Sequence, residues 1–290
     1  MICRSVFGFW FAKYEMSGSS TELKSVPNVT SLRSTSIGNQ YKYARQSKFG
    51  YTGATRTINS NNTEYSYTNY MDSHLVKNSE WGAVAYLTQS QYGRNGNEIS
   101  VNQCSSYYTG AGRGEGDNKI YNSTYSSSNI TEAQKYNGEI GVLSSTTGNV
   151  YGVYDMSGGA WEYTAGYDKL GSSSYVDGTN YGKYLTQEAK NEKGEYISTK
   201  YATAYSNGES TYSGSKIYEI CKVGEGTKEV YTGTSADAWF DDYSYFAGLD
   251  NPFFIRSGYF YNTSSAGVFY SDYSLGGSYS DDSFRVALCP

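Results

Sequence analysis

The sequence predicts an α+β fold rich in loops. Three observations carry that expectation. One stretch, 73–91, has helical periodicity. Aromatic and β-branched segments that read as short strands gather toward the two ends of the chain. The chain between them is polar, and the full 290 residues hold 33 Gly, 34 Tyr and only 11 Phe. With aliphatic residues sparse, the core must rest partly on tyrosine, whose ring buries apolar area while its hydroxyl keeps a polar partner.

Residues 6–15 read as the first strand, and Gly18 with its serine neighbours ends it. Residues 16–70 are Ser/Thr/Asn-rich, with a short helix expected near Tyr41–Gln46. The 73–91 segment is the best helix. Asp72 or Ser73 would cap it, Leu75, Asn78, Trp81, Ala85 and Thr88 fall at three- and four-residue steps, Val84 and Leu87 widen the stripe, and Gly93 follows. Residues 149–167 read as strand, Gly158-Gly159 turn, strand. The polar stretch 168–235 reads as an insertion into a single domain spanning 1–290, its apolar content too low for an independent core. Phe253–Tyr261, Gly267–Tyr273 and Ser283–Leu288 read as three closing strands.

A net charge of −5 without a basic block argues against nucleic acid as partner, and no run of 18 apolar residues offers a membrane span. Met1–Lys13 holds a short apolar stretch without a cleavage site, and Phe9, Trp10 and Phe11 in it read as strand, so no signal peptide is expected. Cys3, Cys104, Cys221 and Cys289 show no CxxC spacing and read as thiols; a Cys3–Cys289 bridge would require paired terminal strands. Gly110, Gly112, Gly114 and Gly116 share one loop, but no Gly-Lys-Ser/Thr opens a helix after it, so it does not read as a phosphate cradle. The single histidine, His74, reads as a packed or capping side chain at a helix entrance. Hydrolysis through it would need Asp72 or Asp155 as orienter, and no Gly-x-Ser-x-Gly elbow accompanies it. Asp241, Asp242, Asp250 and Asn251 form an oxygen-rich calcium candidate without EF-hand spacing; otherwise no cofactor is expected.

The segment Gly152–Thr164, Gly-Val-Tyr-Asp-Met-Ser-Gly-Gly-Ala-Trp-Glu-Tyr-Thr, resembles the signature of formylglycine-generating-enzyme-like domains. Phe9–Glu15, Glu80–Tyr86, Arg256-Ser-Gly258 and Ser283–Val286 resemble other segments of that family, in family order. The chain departs from the signature at Gly159, where the family has Asn. The resemblance implies a C-type-lectin-like fold of this type, with paired N- and C-terminal strands and Trp10 beside Phe284–Leu288. Trp161 would belong to the core, and Glu162 would be a structural hydrogen-bonding partner. The family's oxidases hold copper on a cysteine pair near the C-terminus, and its sulfoxide synthases hold iron on several histidines. This chain has Cys289 alone in that region and one histidine, so a non-catalytic reading is favoured. A metal-dependent oxidase, or a degenerate relative of one, is the alternative.

Residues 256–285 use almost only Tyr, Ser, Asp, Asn and Gly between scaffold residues Phe260, Ala266, Gly267, Phe269, Phe284 and Val286. That palette is the one antibody paratopes use: rigid aromatic contact area with adaptable hydrogen bonding. The region is similar to the variable region of diversity-generating-retroelement proteins, many of which end in such a domain. Their diversification alters adenines, most often in AAC codons, where single changes give Tyr, Ser, Asp, Thr, Ile or His. This resemblance implies that Tyr259, Tyr261, Asn262, Ser264, Tyr270, Asp272, Tyr273, Ser274, Tyr279, Ser280, Asp281 and Asp282 face solvent as ligand contacts. The expected partner is a protein or glycan on a cell surface, which suits a phage receptor-binding protein or a bacterial surface adhesin. A fixed-sequence binding domain would share the same palette.

Overall fold

The structure, a computed structural model, describes residues 8–46, 72–113, 124–209, 222–227 and 239–289. Cys3 and Cys221 lie outside the described residues, and with them the Cys3–Cys289 bridge; Gly114 and Gly116 of the glycine loop do too. The fold is mixed α+β with open sheets. Its strands are β1 (Trp10–Phe11), β2 (Ser17–Ser19), β3 (Glu22–Lys24), β4 (Asp72–Leu75), β5 (Trp161–Asp168), β6 (Thr203–Tyr205), β7 (Phe253–Arg256), β8 (Ser271–Ser274), β9 (Asp282–Phe284) and β10 (Val286–Cys289). Its helices are α1 (Ile37–Gln46), α2 (Asn78–Gln89), α3 (Ser173–Val176) and α4 (Lys183–Gln187).

The terminal segments pair. β1 runs antiparallel to β10 with Trp10 opposite Leu288, and β4 covers the other edge of β10. Backbone bonds from Ala12 to Val286 and from Met16 to Phe284, 3.0 Å each, extend the contact beyond the formal strand. The second sheet is built on β5. β7 pairs along one edge; β9 and β6 share the other, β9 beside Trp161–Tyr163 and β6 beside Gly166–Asp168. β8 extends the sheet from β7. A strand flanked on both edges and covered on both faces needs no alternation, and β5 is buried from Glu162 to Asp168.

Between the two sheets lies a core of Met16, Ile37, Tyr41, Leu75, Tyr163, Tyr167, Phe253 and Phe284. The polar middle segment contributes to it: Val176, Leu185, Ala189 and Ala202 belong to the same cluster. A second cluster centres on Trp81, fully buried, whose indole N–H donates to the Val268 carbonyl at 2.7 Å. Fully burying side chains of this kind contributes on the order of 1.5–3 kcal/mol each.

Several sequence expectations shift. The helix starts at Asn78, not at 73, and Asp72 and Ser73 are strand residues rather than caps. Lys77 holds the cap position, and its N–H donates to the Glu80 carboxylate at 2.9 Å. Leu75 therefore leaves the helical stripe, and Leu87 lies exposed. β4 tolerates its polar sequence because Arg45, fully buried, pairs with Asp72 at 3.0 Å and with Glu188 at 3.1 Å. Residues 149–152 form a turn and 153–154 are irregular, so no strand precedes the Gly158-Gly159 turn. The expected strand 253–261 stops at Arg256, because Ser257 and Gly258 take positive φ. The expected strand 267–273 is displaced to 271–274, and 283–288 splits at Arg285.

Candidate functional site

The signature segment is a buried knot of charge. Asp155 accepts from the Gly110 N–H at 2.8 Å and from Asn102 Nδ2 at 2.9 Å. Glu15 accepts from the Ala160 N–H at 2.8 Å. Glu162 takes a bidentate bond from Arg285, 2.6 Å from Nη2 and 2.8 Å from Nε, and Arg285 also donates to the Ala12 carbonyl. Burial drives the Glu15, Asp155 and Glu162 carboxyls upward, and Arg285 draws all three back. Glu162 is thus a structural hydrogen-bonding partner, as expected. At Gly159, φ is +77°, and a Cβ would stand 2.4 Å from Glu15 Oε1, so the carboxylate of Glu15 occupies the space a side chain there would need.

This knot fixes the strand ends from which the C-terminal loops spring. Phe260 N–H donates to the Gly159 carbonyl, Trp161 N–H to that of Asp281, and Ser34 N–H to that of Tyr279, all at 2.9 Å. Arg33 donates to the Ser280 carbonyl and lies 3.8 Å over the Tyr107 ring. These loops are held by their main chains. The side chains they release form an aromatic face: Tyr259 lies 4.3 Å from Trp161, and Phe260 meets Tyr259 and Tyr107 edge-on at 5.1 Å. Tyr261 is 65% exposed and Tyr279 38%. Ser264 and Ser280 are exposed, and Asp281 is half-buried.

The twelve expected contacts therefore divide. Tyr261, Ser264, Tyr279 and Ser280 are exposed, and Tyr259 and Asp281 are half-buried. Asn262 is half-buried and accepts the Tyr259 N–H at 2.7 Å, closing a turn. Asp272 and Tyr273 are half-buried on β8. Tyr270, Ser274 and Asp282 do not face solvent, being 1%, 8% and 2% exposed. They form the floor beneath the face. Tyr270 OH accepts from Trp161 Nε1 at 3.1 Å and donates to Asp272 at 3.2 Å, while Ser274 bonds Tyr163 OH at 2.8 Å. Burial pushes Asp272 up to about 6; burial together with the like charges of Asp281 and Asp272 pushes Asp282 up to about 7.

Trp161 was expected in the core, yet it is only half-buried and joins the face. As the first residue of β5 it has the sheet on one side only. Sequence reasoning also missed Arg33, 247 residues before its partner Ser280, and Tyr107, about 150 residues before Phe260, where no local pattern marks them. Replacing Tyr261 or Tyr279 with Ala should change unfolding free energy by less than about 0.5 kcal/mol. Tyr270→Phe should cost about 1–2 kcal/mol, because it removes a hydroxyl from a buried side chain and strips the Trp161 N–H of its acceptor. Urea titration of the three variants checks both.

The other expected chemistry resolves differently. His74 sits on β4, not at a helix entrance. It is buried, its Nε2 is 2.8 Å from Glu80 and its Nδ1 is 3.2 Å from the Asp72 carbonyl, so neither the Asp72 nor the Asp155 carboxylate orients it. His74, Glu80 and Cys289 make a group whose ligand atoms lie within 4.8 Å of one another. Lys77 stands 3.4 Å from the same Glu80 oxygen, so an ammonium already supplies positive charge there. Cys104 and Cys289 are free, and burial pushes both thiols up, away from thiolate. Asp241, Asp242, Asp250 and Asn251 do not converge as one site: Asp241 and Asp250 are exposed, whereas Asp242 turns inward. Among the described residues, no helix is long and apolar enough to cross a membrane.

No protein-family model matches this chain, and no curated protein matches it closely enough to carry an inference.

Proposed function

We propose that this chain is a ligand-binding display protein. Its scaffold is a C-type-lectin-like domain of the formylglycine-generating-enzyme type, and residues 256–285 act as the variable segment of a diversity-generating-retroelement protein. The ligand is a protein or glycan on a cell surface. One observation carries this reading: the loops bearing Tyr259, Tyr261, Ser264, Tyr279 and Ser280 are anchored through their own main chains, to the backbone of Gly159, Trp161 and Ser34 and to the Arg33 guanidinium. Such anchors are indifferent to the side chain at the position, so the exposed residues can change while the fold stays.

The face offers rigid aromatic area with two χ angles per contact and hydroxyls at its rim, the combination that binds polar surfaces at low entropic cost. The metal-dependent oxidase reading has, among the described residues, the His74–Glu80–Cys289 group alone, where Lys77 already stands beside the Glu80 carboxylate and burial holds the half-buried Cys289 thiol away from thiolate.

The binding reading is tested with the labelled full chain on glycan arrays and intact bacterial cells. Tyr261→Ala/Tyr279→Ala should lose about tenfold or more in affinity with an unchanged Tm. Equal binding by wild type and double variant would overturn it. Diversification has its own test in the genome. A near-copy of the coding segment for 256–285, differing only at adenines, should lie beside a reverse-transcriptase gene. A locus without either leaves a fixed-sequence binder.

A further inference from the structure

Asp242 is 1% exposed, and its two oxygens have different surroundings. Oδ2 accepts the Phe269 N–H at 2.8 Å, whereas Oδ1 is buried without a hydrogen-bond partner. The chain comes very close here. A Cβ at Gly267 would stand 1.9 Å from Oδ1, so only glycine lets the 266–268 backbone pass. Asp242 lines a cavity of about 10 Å3, room for one water-sized guest, together with Gln89, Glu98, Ile99, Gly267 and Val268. Gln89 Oε1 is a second buried acceptor without a partner. The polar side chains that line the cavity thus offer two carboxylates and an amide oxygen.

An orphaned carboxylate oxygen at this depth is costly, and a second carboxylate on the same cavity adds like-charge repulsion. Asp241 adds further negative charge nearby, while the buried Arg256 offsets part of it. A proton on Asp242 would quiet one charge but leave the Gln89 oxygen unanswered. One cation in the cavity answers the Asp242 and Gln89 oxygens at once.

We propose that Asp242, Glu98 and Gln89 hold a single hard divalent cation of the calcium class. The donors are all oxygens, which excludes the preference of softer metals for thiolate and imidazole. The guest space is a single sphere. Calcium accepts mixed carboxylate and carbonyl ligands in flexible geometry, whereas magnesium retains several waters and needs more room. Glu98 is only half-buried, so the ion enters past its side chain. This site is independent of the ligand-display reading.

Trp239 provides the probe. Its ring lies 5.4 Å from that of Phe269, the residue whose N–H holds Asp242. Terbium added to the full-length protein should show emission on tryptophan excitation, displaced by calcium and far less by magnesium. Millimolar calcium should raise Tm relative to EDTA. Asp242→Asn keeps the shape and the acceptor for Phe269, and should abolish both signals. Glu98→Gln, at a half-exposed position, should fold normally and bind about tenfold or more weakly. Asp250→Asn should bind as the wild type does. No calcium-dependent change in the wild type, equal response to magnesium, or unaltered binding in both Asp242→Asn and Glu98→Gln would each overturn the proposal.

Discussion

Replacing Arg285 with leucine should destabilise the protein by about 3–5 kcal/mol, the cost of stranding a buried charge. Arg285 is fully buried and is the cation toward which Glu15, Asp155 and Glu162 all look. Removing it leaves Glu162 without its bidentate partner at 2.6 and 2.8 Å, and leaves the Ala12 carbonyl without a donor. The damage reaches both sheets, because Arg285 sits between β9 and β10, one strand in each. Arg285→Leu combined with Glu162→Met should recover much of the loss, since the isolated carboxylate rather than the lost pair is what hurts. Urea unfolding of the wild type, the single variant and the double variant checks both parts. A double variant no better than the single would show that the pair acts through geometry instead of charge.

Asp282→Asn should raise stability at pH 8, by an amount on the order of 3–4 kcal/mol, and leave it nearly unchanged at pH 4. The folded protein holds the Asp282 carboxyl at about 7, against about 4 in an unfolded chain. A raised pKa means that the folded state binds the proton more tightly. Its contribution is therefore fully present below about pH 4 and is lost as pH climbs toward 7. Asparagine keeps an oxygen for Tyr163 without a charge to bury. Asp272, held at about 6, adds a smaller slope of the same sign. Groups pulled the other way, such as Glu80 beside His74, contribute stability that is lost in acid, so the whole-protein profile is a sum. The difference between wild type and Asp282→Asn isolates one member. Parallel stability curves from pH 4 to 8 would show that the carboxyl is already charged and accommodated.

The sequence made some of this architecture readable. Aromatic and β-branched residues at both ends announced strands, and the pairing of Trp10 with Leu288 follows the expectation drawn from the resemblance. Trp81, Ala85 and Thr88 sit on the buried face of α2 as their spacing requires. Other features were invisible because long-range partners decide them. Asp-Ser-His-Leu looks like a helix cap followed by a helix. It is a buried strand only because Arg45 and Tyr201 engage Asp72 from distant segments. Tyr270, Ser274 and Asp282 share their composition with Tyr261, Ser264 and Asp281, so palette alone could not separate floor from face. Their separation comes from β8 and β9 packing against Trp161 and Tyr163. The calcium expectation grouped Asp242 with Asp241, Asp250 and Asn251, none of which lines its cavity. Its cavity partners, Gln89 and Glu98, lie more than 140 residues away, and no local spacing points to them.

The antiparallel ladder of β1 on β10 has a mechanical meaning. Trp10 faces Leu288, so the chain segments leaving this ladder before β1 and after β10 depart from the same end of it. Tension between those two segments would peel the hydrogen bonds one at a time, the weak loading direction. Tension between the aromatic face and the segment after β10 travels along β9 and β10 instead. It loads their bonds to β5 and β4 together, in shear. A molecule tethered beyond Cys289 and gripping a target through Tyr261 and Tyr279 would thus be pulled along its stronger axis.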